Sequence, residues 1–500
     1  MIDSRPVFSR IGRRAAAFVL LFLLSVFLPA QERFRRQPPN PDPRHRLNLP
    51  RFLSHTLKNN LTIHVVPLEY DRRVTLKLII YSGESSSPEN LPGLATFTAN
   101  LLDKGTLTLS VNAVEEAIAA IGGEWSAAVQ PERTIFTLSF LDEYLDRGVE
   151  ILSRFLLEPA FSQREIVNLQ RTLYYQMFNR RKDSEFIGKN LFHLLLFNGH
   201  PYSRISFNED IFKYIKQKDI QQFFEKNYRT NNASLILVGN IDLETASRHI
   251  STHLNTWNPA AELPADDPLP RPLRRLRIGL VDDPQSDGAY IFLGNIIPLQ
   301  SSLDIFPYAV FNMVLGGTLN SRLFMNLRES KQYAYNAFSE VIFFKNFGIF
   351  LVTAKVKPAV LNQSIKEILR ELDTATKLKL PSNEIEQAKS YLIGQFPVRM
   401  EIQEEYTGRV TDVISLNLGD SHWSQYFESI TSVNADNVFE QLKDSDLLSP
   451  VIVIVVNADL ESRDNPLLDP KDNPLINRLM AEFGEIEVYN EKGILQYTLK

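Results

Sequence analysis

Few residues in this 500-residue chain stand in patterns that could carry out chemistry. There is no cysteine, which excludes disulfides, thiolate metal sites, a cysteine nucleophile and lipid attachment through an N-terminal cysteine. His249 and His253 are spaced i, i+4, so a helix would present both imidazoles on one face, the spacing of a metal pair. The residues between them, Ile250, Ser251 and Thr252, supply no acid. A hydrolytic zinc centre needs a third ligand, so two histidines on a partly exposed helix face is the better-supported reading. His193 and His200 flank a turn before Pro201-Tyr202 and read as backbone partners rather than ligands. No G-x-S-x-G elbow or phosphate loop occurs, and Gly122-Gly123 and Gly316-Gly317 read as helix and turn punctuation. Net charge is −5 with both signs nearly balanced, which gives no argument for a nucleic acid or an acidic polymer as partner.

Two stretches remain. Gly93-Leu94-Ala95-Thr96-Phe97-Thr98-Ala99-Asn100-Leu101-Leu102-Asp103-Lys104-Gly105-Thr106 opens on glycine after Pro92 and runs apolar at helical spacing. That pattern predicts a helix ending at Gly105. The second stretch, Leu315 to Tyr335, carries Arg328 and Tyr335 seven residues apart. On composition alone Arg328 reads as a partner of Glu329 and Tyr335 as a core-edge aromatic.

The elements that must hold these stretches are legible from hydrophobic period and turn chemistry. Leu61–Val66, Val74–Tyr81, Trp125–Val129, Thr134–Phe140 and Leu235–Gly239 read as strands. Helices are predicted over Ser110–Ile121, 142–157, 162–181, 184–197 and Leu243–Asn255. Five prolines between Pro259 and Pro272 mark a linker over 258–272, separating a unit at 51–257 from one at 273–500. The second unit repeats the first. Leu235-Ile236-Leu237-Val238-Gly239-Asn240 returns as Ile452-Val453-Ile454-Val455-Val456-Asn457, Gly105-Thr106 as Gly317-Thr318, and Gly83 as Gly294. A spacing of roughly 210–217 residues is duplication of a whole domain, whereas solenoid repeats run ~20–50. The class is α+β, with helices against one face of an antiparallel-type sheet. A loop is expected over Ser462–Pro474, then a helix and a hairpin turning near Asn490–Gly493.

Residues 1–30 read as a secretory signal peptide: Arg10, Arg13 and Arg14 precede an apolar run from Ala15 to Leu28, and Leu28-Pro29-Ala30 offers a cleavage point. The run is short for a membrane span, so a membrane association is expected only if the segment stays uncleaved. Residues 31–50, rich in Arg and Pro, read as a tether. Export without cysteine fits a bacterial periplasm.

The frame Gly93-Leu94-Ala95 … Lys104-Gly105-Thr106 resembles the zinc-binding helix of the insulinase/pitrilysin-like (inverzincin) metallopeptidases, in which H-x-x-E-H lies between G-L-A and K-G-T. At the histidine positions stand Thr96 and Asn100, and at the glutamate position Ala99. The match continues without a gap through Gly122-Gly123, Leu141-Asp142-Glu143 and Phe161, which puts the family's third ligand at Gln176 and an accompanying acid at Leu169. The resemblance therefore implies two homologous LuxS/MPP-like metallohydrolase-type domains with degenerate metal positions and no metal in this chain. It also implies that Arg328 and Tyr335 are catalytic, that Arg322 is structural, and that Ser126, Ala127 and Ala128 on the strand Glu124–Val129 bind peptide. Some family members are heterodimers, so the implied partner is a zinc-bearing homologous subunit acting on peptides or unfolded proteins. The other reading is an inactive scaffold or peptide-binding subunit of an envelope complex.

Overall fold

The computed structural model describes residues 52–263, 267–419, 422, 425–443, 445–458 and 474–500. The signal segment, the tether and nearly all of the loop expected at 462–474 lie outside the described residues. Two sheets organise the rest. The first contains β1 (Leu53–Thr56), β2 (Thr62–Pro67), β3 (Arg73–Ile80), β4 (Glu124–Val129), β5 (Thr134–Leu141) and β6 (Ala233–Gly239), in the order β1-β2-β6-β3-β5-β4. The second contains β7 (Arg277–Asp282), β8 (Ala289–Pro298), β9 (Ala334–Phe343), β10 (Phe347–Val356), β11 (Val451–Val456), β12 (Ile486–Tyr489) and β13 (Leu495–Leu499), in the order β13-β12-β7-β11-β8-β10-β9. Without their outer additions the two are wound identically, β2-β6-β3-β5-β4 against β7-β11-β8-β10-β9. Each is mostly antiparallel, with one parallel pair in each set, β2 with β6 and β7 with β11. This is the duplicated α+β fold read from the sequence.

Pairing register corrects one detail of the repeat. Val238 faces Thr75 and its counterpart Val455 faces Tyr290, so Gly294 corresponds to Ile79 and not to Gly83. Gly294 lies inside β8, where a side chain would meet the Phe350 carbonyl at 1.9 Å. Gly83 lies past the end of β3.

Of the helices, α1 (Leu94–Ala99), α2 (Gln163–Arg180), α3 (Ser184–Phe197), α4 (Ile305–Leu315), α5 (Ser382–Met400) and α6 (Gln403–Ser415) frame the sites. The central strands explain how they are placed. β6 and β11 are buried along their whole length, as continuous apolar runs must be when both faces of a sheet are covered. Alternate residues face opposite ways. Leu235 and Leu237 join the core built by the first half's own helices, whereas Ile236 and Val238 pack on Tyr406 and Val410 of α6. In the second sheet Ile452 and Ile454 face their own helices, whereas Val451, Val453 and Val455 pack on Ile187, Leu191 and Leu195 of α3.

The halves have thus exchanged helices across the 258–272 boundary. Each buried aliphatic side chain in these layers contributes roughly 1.5–3 kcal/mol. Close approach of α3 depends on Gly188, where a Cβ would sit 2.0 Å from the Phe292 ring. Polar contacts fix the register of α6. Gln403 accepts from Arg73 Nε at 2.7 Å and donates to the Arg73 carbonyl at 2.9 Å. Among the described residues no helix is long and apolar enough to cross a membrane.

Candidate functional site

The helix predicted to run to Gly105 stops at Ala99. Asn100 ends it, because its amide Nδ2 donates to the Thr96 carbonyl at 2.8 Å and its backbone N–H reaches the same oxygen. Leu101, Leu102 and Lys104 then make i→i+3 turns, and Gly105 takes a left-handed φ of 98° beyond them.

The N-terminus of α1 is closed by a residue that sequence reasoning passed over. Glu84 follows β3 in a short 3₁₀ turn and is fully buried. Its Oε1 accepts from Ser87 Oγ at 2.6 Å and Gly93 N–H at 2.5 Å; its Oε2 accepts from Thr96 N–H at 3.1 Å and Thr96 Oγ1 at 2.7 Å. Burial pushes the Glu84 pKa above the ordinary carboxylate range, and the four donors pull it partly back. Gly83 permits the turn, since a Cβ there would lie 2.0 Å from the Gln130 carbonyl in the β4–β5 hairpin.

This arrangement does not fit zinc. Thr96, at the first histidine position, spends its hydroxyl on Glu84; Ala99 is buried and has no donor atom; and Asn100 is engaged with backbone. Gln176 is exposed on α2, and Leu169 is buried in the core. Zinc is held by imidazole, thiolate or carboxylate, and none of these positions supplies one. His249 and His253 both hydrogen-bond to one oxygen of Asp146, at 2.7 and 2.9 Å, instead of facing a shared open point. Among the described residues no group of three or more His, Cys, Asp or Glu is placed to hold a metal ion. His200 bonds to the Pro268 carbonyl at 2.5 Å. His193 is held neutral, burial and nearby Lys189 lowering its pKa to about 4.

The second stretch has the opposite character. After α4 and Gly316-Gly317 the chain enters a π-helical turn, Phe324–Ser330, in which Lys331 N–H bonds to the Asn326 carbonyl five residues back. Gln332 then takes a left-handed φ of 56°. β9 begins with a bulge: Asn336 faces Lys355 and Ala334 faces Val356, leaving Tyr335 as the extra residue. Arg328 therefore stands on the π turn and Tyr335 on the bulge, each on irregular backbone of the kind that concentrates at functional sites.

Both side chains are exposed. Arg328 lies 4.8 Å from the centroid of Phe324, with Glu329 3.8 Å away, a solvent-exposed pair worth little. Tyr335 is 56 % exposed, its hydroxyl has no hydrogen-bond partner among the described residues, and its ring receives Lys355 Nζ at 5.6 Å. Arg322, by contrast, is committed to Glu384 through two contacts of 2.7 and 3.1 Å. β4 is the terminal strand of its sheet and pairs only with β5 among the described strands. Trp125, Ala127 and Val129 turn toward the core, leaving Ser126 and Ala128 exposed beside free backbone groups.

Comparison with known proteins places both stretches within one family. Residues 65–205 match the family model described as insulinase (peptidase family M16), and residues 214–392 match the model described as peptidase M16 inactive domain. An uncharacterized zinc protease of Streptomyces coelicolor is 26 % identical over 354 residues, covering 69 % of this chain and 76 % of that protein. The non-peptidase homolog YmxG of Helicobacter pylori is 22 % identical over 342 residues, 68 % of this chain and 77 % of its own. The solved structure of a peptidase M16 inactive domain from Pseudomonas fluorescens superposes with a TM-score of 0.75 at 17 % identity, covering 81 % of this chain and 97 % of that one.

Proposed function

Because the chain belongs to the insulinase family of peptidases (peptidase family M16), we propose that it is an exported subunit that donates Arg328 and Tyr335 to the active site of a zinc-bearing homologue. The observation that carries this reading is the asymmetry between the two stretches. Thr96, at the first metal position, is tied into a closed hydrogen-bond network around Glu84 and Asn100 is engaged with backbone, whereas Arg328 and Tyr335 reach solvent from a π turn and a bulge. In peptide hydrolysis negative charge grows on the carbonyl oxygen under attack, and donors fixed in advance at that oxygen lower the barrier. The Tyr335 hydroxyl supplies such a donor, and the Arg328 guanidinium grips a carbonyl or carboxylate through its planar fork. The open edge of β4 gives an extended peptide a strand to pair with, small side chains at Ser126 and Ala128 leaving the approach clear.

In this reading zinc belongs to the partner, the substrates are peptides or unfolded segments, and the assembly is a heterodimer in the periplasm. The mature protein, assayed alone and with a co-purified homologue that carries H-x-x-E-H, tests it. Chelator-sensitive hydrolysis of unfolded peptides is expected in the mixture only. Hydrolysis by the lone chain would sink the idea, and N-terminal sequencing of the exported form tests removal of residues 1–30. The free β4 edge also favours a second reading, a subunit that holds peptide without turning it over. Binding that persists while Tyr335→Phe leaves the mixture's rate unchanged would select it.

A further inference from the structure

Where the β4–β5 hairpin of the first half meets α4, the end of β9, α5 and α6, the structure encloses a cavity of about 600 Å³. That is within the range of small-molecule sites, ~300–1,000 Å³. Neither Arg328 and Tyr335 nor the four degenerate metal positions line it.

Its wall is apolar with a few charges, and most of these are already matched. Arg133, buried, donates to Gln130 Oε1 at 2.6 Å and to Ser415 Oγ, and pairs with Asp412 at 3.3 Å. Arg409 adds a second positive charge beside Asp412. Glu132 accepts the Tyr202 hydroxyl. Arg399 is different: it is exposed on the wall, and no carboxylate lies within ion-pair distance of it among the described residues. Near it the wall is aromatic, with Phe396 stacked on Tyr426 at 4.2 Å, and Leu392 and Phe343 complete an apolar surface.

We propose that this cavity binds an apolar carboxylate of about dipeptide size, its carboxylate against Arg399 and its body against Phe343, Leu392 and Phe396. A cation is disfavoured, because both acids on the wall are engaged from within the protein, Asp412 by Arg133 and Glu132 by Tyr202. An uncharged apolar molecule would leave Arg399 unanswered, whereas a carboxylate meets a planar guanidinium with two parallel hydrogen bonds. The same chemistry can come from a peptide's C-terminus or from a free organic acid.

Calorimetric titration of the whole mature chain separates these. The probes are N-acetyl-Phe-Phe as the free acid, the same compound as its C-terminal amide, and 4-phenylbutyrate. The free acid is expected to bind at least ~10-fold more tightly than the amide. Arg399→Met, a change at an exposed side chain, should erase that preference, and Leu392→Trp should fill the space and abolish binding of both. Phenylbutyrate binding as tightly as the peptide acid supports a free organic acid; peptide acid at least ~10-fold tighter supports a C-terminus. Equal affinity for acid and amide, a preference that survives Arg399→Met, or no binding of any probe at ~1 mM overturns the assignment.

Discussion

The stretch around α1 lies in the connection from β3 to β4 and the stretch leading into β9 in the matching connection from β8 to β9, where α4 is the counterpart of α1, yet the two stretches have been resolved in opposite ways. At the start of α1 the polar groups are engaged within the protein: a buried carboxylate takes four donors, Thr96 serves it, and Asn100 seals its own helix. Leading into β9 the backbone departs from regular geometry three times within a dozen residues, and two side chains are left facing water. Closure of the first stretch uses polar groups for stability. Irregularity in the second has no stability benefit, since a left-handed non-glycine residue costs on the order of 1–3 kcal/mol. The difference teaches that one half can lack metal-ligating residue types while the other keeps two polar side chains open to solvent.

Substitutions can break or sharpen this contrast. The largest effect on stability is expected from Glu84→Ala, which strands the N–H groups of Gly93 and Thr96 and the hydroxyls of Ser87 and Thr96. A loss of about 2–4 kcal/mol in urea unfolding is expected, and a loss below ~0.5 kcal/mol would show that the network is not holding α1. In the mixed complex, Tyr335→Phe is expected to lower the hydrolytic rate by about 100-fold while leaving unfolding of this chain unchanged to within ~0.5 kcal/mol. A joint fall in rate and stability would make Tyr335 a packing residue instead.

A smaller effect concerns pH. The folded-state pKa of Glu84 is raised by burial, so the folded protein holds the proton more tightly than the unfolded chain. Stability from this group therefore falls as pH rises from the ordinary carboxylate range, ~4.3, through its raised value, and is flat above. Glu84→Gln removes the titration. The stability of the natural chain relative to Glu84→Gln should decline with rising pH over that window, and a difference that is flat or rises would contradict the burial argument. Smallest of all is Asp146→Asn. Its two histidines hold the Asp146 pKa low but lie near solvent, so stability should change by no more than ~0.5 kcal/mol. Metal content measured on the same samples should not change.

Much of the fold was legible because burial writes itself into period. β6 and β11 stand out as unbroken apolar runs, Ser110 caps its helix by accepting from Ala113 N–H, and the last hairpin turns at Asn490–Gly493 as its turn residues indicate. Three features were not legible, each for a physical reason. The early end of α1 depends on an asparagine amide finding a carbonyl four residues back, which propensity does not reveal. Glu84 sits before Ser85-Ser86-Ser87 and reads as a polar surface turn, because nothing local says that α1 will be laid over it. The exchange of α3 and α6 was hidden for a third reason: an apolar helix announces that it is buried, not against which sheet. At the candidate site, Thr96, Ala99, Asn100 and Gln176 could be recognised as lacking metal ligands from their residue types alone. The π turn under Arg328 and the bulge under Tyr335 have no signature in residue type, since both arise from register.

The helix exchange also sets a schedule for synthesis. β6, the last strand of the first sheet, ends at Gly239, but α6, which covers that sheet's outer face, ends at Ser415. At ~5–20 residues per second the ribosome needs roughly 10–35 s to bridge that distance. Through that interval Val66, Ile79, Ile236 and Val238 have no lid, and the nascent chain must keep them from neighbouring polypeptides until the start of its final fifth has emerged.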